Sequence, residues 1–301
     1  MMSDRPRASR GRVARIALNV ADMARSVAFY TEALGFQVLG VGQEGARAQT
    51  TLLGGRCESQ TLSLGGARLE LTRFFEGSAP YPAHSRANDL WFQHFAILCQ
   101  DIESLARTVR CLGGEPITQG PPQRLPATSG GVTAYKCRDP DGHPLELLLP
   151  VGDGGNKSAQ ASNAHGTVAL DHTALSVADT GRAIAFYHDV LALDVETDHI
   201  NRGVEQDRLD GLTGVRVRVV SLRTEPPGPR LELLGYEAPR GRTASWTPRD
   251  IAATRTVFAV ADLHALERAL YRGYRGASRR IDHTLLSQDP SGHWLLFEGE
   301  P

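Results

Sequence analysis

Glu146 stands between leucines in the stretch Asp139-Pro-Asp-Gly-His-Pro-Leu-Glu-Leu-Leu-Leu-Pro150. Proline fixes φ, aspartate bonds its own backbone and glycine accepts a positive φ, so Pro140, Asp141 and Gly142 predict a tight turn with a strand after it. With a period of two, Leu145, Leu147 and Leu149 share one face of that strand, and Glu146 points the other way with Leu148. A carboxylate on a covered face needs an answer, because an isolated buried charge is too costly to keep. The candidates are water, a cationic side chain and a metal ion. The pattern is not unique in the chain: Leu-Glu-Leu recurs around Glu70 and Glu232, and the turn recurs as Asp289-Pro-Ser-Gly-His293.

The elements that must position these acids repeat as well. Val13 to Val20 predicts a strand. Asp22 then caps a helix whose Met23, Val27, Tyr30 and Leu34 fall at helical spacing, and Gly35 ends it. Strand-like runs follow at 36–41, 50–53, 59–64 and 68–74, giving a β-α-β-β-β unit. A second unit has a strand over 90–98 that carries His94, a helix capped by Asp101 and lined by Ile102, Leu105, Val109 and Leu112, and strands at 115–117, 131–137 and 145–149. The long proline-rich loop over 118–130 is placed to cover something. Residues 151–166 have the polar, glycine-rich composition of a linker, and 1–12 read as a disordered basic leader. Beyond the linker, His172-Thr-Ala-Leu-Ser-Val-Ala-Asp179 matches Arg15-Ile-Ala-Leu-Asn-Val-Ala-Asp22, and Ala185-Phe-Tyr187 matches Ala28-Phe-Tyr30. The chain is an internal duplication. Its expected division is a domain over 13–150, with modules 13–75 and 90–150, and a domain over 167–301, with modules 168–239 and 250–299.

The spacing fixes a common register for all four modules. Each capping aspartate comes seven residues after one first-strand position, in the pairs Arg15/Asp22, His94/Asp101, His172/Asp179 and Arg255/Asp262. The occupants of that position are therefore Arg, His, His and Arg. The matching last-strand position holds Glu70, Glu146, Glu232 and Leu296.

Composition bounds the partners. A chain of 301 residues with 41% hydrophobic and 22% charged residues is long enough for sizeable cores, and its formal net charge of −1 gives no broad field for nucleic acid. No apolar run approaches a membrane span, and no apolar segment follows the basic start as it would in a signal peptide. Cys57, Cys99, Cys111 and Cys137 form no C-x-x-C pair and predict reduced core cysteines, two of them (Cys99 and Cys111) in apolar-periodic segments, in a cytoplasmic protein. The expected partner is a small-molecule substrate rather than nucleic acid or membrane, with the chain acting as a monomer or homodimer.

The starts "V-A-D … A-F-Y … L-G-F" in residues 20–36, their echo at 177–193, and "R-D-P-D-G-H-P-L-E-L-L" at 138–148 resemble the vicinal oxygen chelate superfamily. That superfamily contains glyoxalase I, bleomycin-resistance proteins and extradiol dioxygenases. The resemblance implies an α+β fold in which four βαβββ modules form two cupped mixed sheets. It also implies that each module offers a metal one ligand from its first strand and one from its last. Carried onto this chain, the metal set is His94, Glu146, His172 and Glu232, holding one divalent ion (Ni, Zn, Co, Mn or Fe) through neutral imidazole and carboxylate. Pairing modules within each half would leave both cups incomplete. Pairing across the linker puts all four ligands in one cup and leaves Arg15, Glu70, Arg255 and Leu296 in the other, so the crossed pairing is expected, with Glu70 held by an arginine.

The function implied is a metal-dependent lyase or isomerase of glyoxalase I type, in which Glu146 or Glu232 moves a proton and the substrate passes through an enediolate. Two alternatives stay open: an extradiol dioxygenase, which needs iron on two His and one carboxylate, and a non-catalytic protein that sequesters a drug or metabolite. Tyr81, His84, Arg86, Trp91 and Gln93, with Arg124 and Tyr135, are candidates for shaping a substrate pocket. Each is equally an ordinary loop or core residue. Thr128-Ser-Gly-Gly131 lacks the strand-before, helix-after context of a phosphate loop, and the arginine-rich 271–280 reads as a solvated helix end.

Overall fold

Four aspartates begin four helices. Asp22, Asp101, Asp179 and Asp262 have extended backbones, and each accepts a hydrogen bond from the backbone N–H three residues on, at 2.8–3.0 Å. The side chain thus satisfies an N–H that the helix leaves unpaired. The computed structural model describes residues 10–44, 47–151, 163, 165–274 and 278–299. Most of the expected linker and leader lie outside the described residues.

In chain order the first module comprises β1 (Arg12–Asn19), α1 (Met23–Glu32), β2 (Gln37–Glu44), α2 (Arg47–Leu53), β3 (Cys57–Leu64) and β4 (Ala67–Phe74). The second has β5 (Gln93–Cys99), α3 (Ile102–Cys111), β6 (Glu115–Pro116), β7 (Gln123–Arg124), β8 (Thr133–Arg138) and β9 (Pro144–Leu149). The third has β10 (Thr167–Ser176), α4 (Thr180–Leu191), β11 (Asp194–Arg202), α5 (Val204–Asp210), β12 (Arg216–Arg223) and β13 (Arg230–Ala238). The fourth has β14 (Arg255–Val260), α6 (Leu263–Gly273), β15 (Arg279–Ile281), β16 (Thr284–Gln288) and β17 (Trp294–Gly299).

Strand order settles the pairing. One sheet runs β15-β16-β17-β14-β1-β4-β3-β2, and the other runs β11-β12-β13-β10-β5-β9-β8-β6, with β7 on β8. The first and fourth modules share a sheet, as do the second and third. Within each module the first and last strands are parallel neighbours, and the two first strands meet antiparallel at the sheet centre. This is the α+β arrangement of cupped mixed sheets expected from the resemblance.

Sheets cross the sequence halves, but the two largest hydrophobic cores stay almost wholly within them. One core packs Ile16, Leu18, Leu69 and Leu71 of one sheet against Phe95, Ile97, Leu145 and Leu147 of the other, with Phe29, Tyr30, Leu105 and Val109 from α1 and α3. The second joins Leu175, Leu231, Phe258 and Phe297 with Phe186, Tyr187 and Leu266 from α4 and α6. The helices α1, α3, α4 and α6 therefore lie between the sheets, and the opposite face of the central strands lines a cup.

The Asp-Pro-x-Gly-His turns fasten modules together. Asp139 accepts the Tyr30 hydroxyl at 2.8 Å and His143 Nδ1 at 2.9 Å, while His143 Nε2 donates to the Ile251 carbonyl at 3.1 Å. In the second copy the Tyr187 hydroxyl donates to Asp289 and His293 Nε2 to the Ser176 carbonyl. One expectation fails: residues 50–53 are not a strand but the end of α2, whose Leu52 and Leu53 pack into the first sheet's cup. A window of four residues carries too little periodicity to separate the two. All four cysteines are free thiols, and Cys111 is exposed at the end of α3 rather than in the core.

Candidate metal centre

Four central strands aim the ligand types at one place. On β5, Phe95 and Ile97 enter the core between sheets, so His94, Ala96 and Leu98 line the cup. On β9 the same parity sends Glu146 and Leu148 inward. His172 on β10 and Glu232 on β13 arrive from the third module. All four side chains border one cavity of about 600 Å³. His94 Nε2 lies 3.2 Å from Glu146 Oε2, and His172 Nε2 lies 3.5 Å from that same oxygen and 3.6 Å from Glu232 Oε2. One donor atom from each of His94, Glu146 and His172 falls within 4.8 Å of the others.

Electrostatics set the protonation of this cluster without an ion. Burial pushes the His94 pKa down and outweighs the pull of Glu146. For His172 burial acts in the same direction, but Glu232, Asp171 and Glu146 overcome it and raise the value to about 10. Burial would raise Glu146, yet Lys136, His94 and His172 hold it well below the usual carboxylate range. A divalent ion fits the donor set on structural grounds. His172 Nε2, the ring nitrogen that faces Glu146 and Glu232, is buried without a hydrogen-bond partner, and two carboxylates with two neutral imidazoles balance a double positive charge.

Lys136 was not among the expected site residues. It is directly across from Glu146 in the β8/β9 register, with Nζ 2.6 Å from Asp210 Oδ1 and 4.0 Å from Glu146 Oε1. Gln206 supports Asp210 through a 2.8 Å hydrogen bond. Its signal in the sequence was rarity, since lysine occurs only at 136 and 157. Asp171 and Arg230 were also missed. The end of the 118–130 loop does cover the site: Thr128, Ser129 and Gly130 line the cup.

None of the seven residues expected to shape a substrate pocket lines this cavity, His84 and Trp91 included. Tyr81 packs with Trp91, Ile251 and Ala252 and against the His143 ring. Arg86 is an exposed loop residue. Gln93 has the opposite strand parity to His94 and bonds Thr173 and Thr256. Arg124 is exposed on β7, and Tyr135 faces the core with Leu145. Proximity in sequence to the ligands was the wrong guide, because adjacent strand residues face opposite sides.

The other cup is closed by protein. Arg15 Nε donates to Glu70 at 2.7 Å, and its two terminal nitrogens clasp Glu298, each at 2.7 Å. Gln49 and Thr72 take the other Glu70 oxygen. Arg255, 1% exposed, donates to Asn19, Thr72 and the Pro248 carbonyl. Leu296 joins Leu52, Leu53 and Phe74 in an apolar plug.

Residues 12–147 and 169–297 match the family model described as Glyoxalase/Bleomycin resistance protein/Dioxygenase superfamily. A protein of Vibrio parahaemolyticus named "Probable lactoylglutathione lyase" is 31% identical over 155 residues, which is 51% of this chain and 96% of that one. A lactoylglutathione lyase of Arabidopsis thaliana is 28% identical over 191 residues, 62% of this chain and 57% of its own length. Among solved structures, glyoxalase I from Zea mays superposes with a TM-score of 0.64 at 19% identity, covering 96% of this chain and 92% of that one.

Proposed function

Because the chain belongs to the Glyoxalase/Bleomycin resistance protein/Dioxygenase superfamily, we propose that it is a glyoxalase I-like, metal-dependent lyase or isomerase. Its substrate is a small molecule with adjacent oxygens, and by analogy with the named relatives the first candidate is the adduct of a 2-oxoaldehyde with glutathione. The observation that carries this reading is the sorting of side chains: two His and two Glu at equivalent strand positions border one cavity, whereas the other cup is filled by ion pairs and leucine. His94, Glu146, His172 and Glu232 would hold one divalent ion, of Ni, Zn, Co, Mn or Fe. When bound it would polarise the substrate's oxygens and acidify the hydrogen between them.

The residues supply the rest. Glu146 and Glu232 approach the cavity from different modules, so a carboxylate oxygen is available to take a proton from one carbon and return it to the next. Leu98, Leu125, Leu148 and Leu209 form an apolar wall that keeps water from competing for that proton. The second carboxylate in the cavity favours this reading over an extradiol dioxygenase, for which one suffices. The proposed organisation is two repeats, 13–150 and 167–301, acting as a monomer or homodimer in the cytoplasm.

The test is isomerisation of the methylglyoxal–glutathione adduct by the purified protein, with metal content measured alongside. Activity should need a stoichiometric ion, disappear with a chelator, and be lost with the ion in His172→Ala while thermal unfolding of the metal-free protein is little changed. Full activity after complete metal removal would overturn the reading.

A further inference from the structure

The two imidazoles of the site are held differently. The strand β10 carries a bulge between Leu170 and His172, where Asp171 is the extra residue against β5. A bulge breaks alternation, so Asp171 and His172 both line the cup. Asp171 Oδ2 lies 3.0 Å from His172 Nδ1 and also takes the Arg230 guanidinium from the neighbouring strand β13. His94 has no such support. The residue before it, Gln93, follows regular alternation onto the opposite face, and His94 Nδ1 is buried without a partner.

The closed cup supplies an internal comparison. The strand β1 bulges at the same place, between Val13 and Arg15, and the extra residue there is Ala14. Arg68, two residues before Glu70, is the counterpart of Arg230, two before Glu232. The arginine thus persists in both cups, but the carboxylate between arginine and ligand position occurs only where that position is a histidine.

Resting on the functional reading above, we propose that Asp171, anchored by Arg230, is a positioning residue of the metal site. Asp171 accepts the Nδ1 proton of His172 and so leaves Nε2, which faces the cavity, as the nitrogen that gives up its proton to bind an ion. The ring is held there before an ion arrives, which makes His172 the ligand that dominates retention. An imidazole whose other nitrogen donates to a carboxylate is also the better electron donor. His94, without that support, adjusts to the ion.

Affinity for Zn²⁺ and Co²⁺, measured by competition with a chromophoric chelator, tests this without reference to turnover. Asp171→Ala should weaken both ions by roughly 10–100-fold, with the Co²⁺ absorption bands altered. Asp171→Asn keeps an oxygen for the Nδ1 proton and should lose less, as should Arg230→Gln. Metal-free unfolding temperatures of the Asn and Gln variants should stay close to the parent's. If Asp171→Ala and Asp171→Asn bind both ions as tightly as the parent while His172→Ala does not, this inference is wrong and the functional reading stands. If the parent itself binds neither ion, both fall.

Discussion

Lys136 carries a buried positive charge among acids that a metal ion would also need. Its side chain and that of Asp210 are 4% and 0% exposed, and each is the other's nearest counter-charge. Removing one partner strands the other, which is more costly than never having had the pair. Lys136→Met should therefore destabilise the protein by about 3–5 kcal/mol in denaturant unfolding. Adding Asp210→Asn should restore much of that loss, since the neutral amide no longer needs the ammonium. If the double variant is no more stable than Lys136→Met, the pairing with Asp210 is not what holds the lysine. At this scale the sequence was legible wherever a residue follows strand alternation. Spacing put His94, Glu146, His172 and Glu232 at equivalent strand positions, the resemblance put them in one cup, and Glu70 is held by an arginine as expected. Asp171 was not legible, because a bulge shifts parity without leaving a signature in residue types.

Among the elements, the Asp-Pro-x-Gly-His turn shows how a local motif acts at long range. Both His143 ring nitrogens face acceptors, Asp139 and the Ile251 carbonyl, so the ring must carry two protons to satisfy them. Burial would lower the His143 pKa, but Asp139 and, less strongly, Asp141 raise it above its ordinary 6.5. Burial would raise Asp139, and His143 with the Tyr30 hydroxyl holds it below its ordinary 3.8. The histidine's contribution is complete below pH 6.5 and lost as pH rises through its elevated folded value. The aspartate's is complete above pH 3.8 and lost as pH falls through its depressed one. His143→Gln should therefore cost about 1.5–3 kcal/mol between those limits, with the gap to the parent narrowing as the solution becomes alkaline. A gap that widens instead would mean that the ring is neutral in the fold. The helix caps were equally visible in the sequence. The α2 plug was not, because its seven residues are ordered by what they fill rather than by their own periodicity.

For the whole molecule, the crossed strand order makes the number of sites differ from the number of repeats. Calorimetric titration with Zn²⁺ should give one ion per chain. Glu70→Gln should leave that number and the affinity unchanged, since Glu70 is engaged by Arg15, Gln49 and Thr72. Two ions per chain, or an ion lost with Glu70, would contradict the assignment of the cups. Duplication and module register were readable in advance, whereas the crossed pairing was an expectation that rested on the resemblance and on the one arrangement that kept a complete ligand set. Much of the cavity's lining was not readable, since it comes from β11, α5 and β12, where ordinary residues acquire a place only by facing the cup.

The crossing has a kinetic side as well. Each cup draws its ligand positions from both repeats, so in two separate chains its integrity would depend on how often the chains meet. On one chain that encounter is intramolecular, at an effective concentration on the order of millimolar. Dilution therefore cannot empty the site by separating its halves, and the protein should keep its ion at concentrations where a pair of free subunits would fall apart.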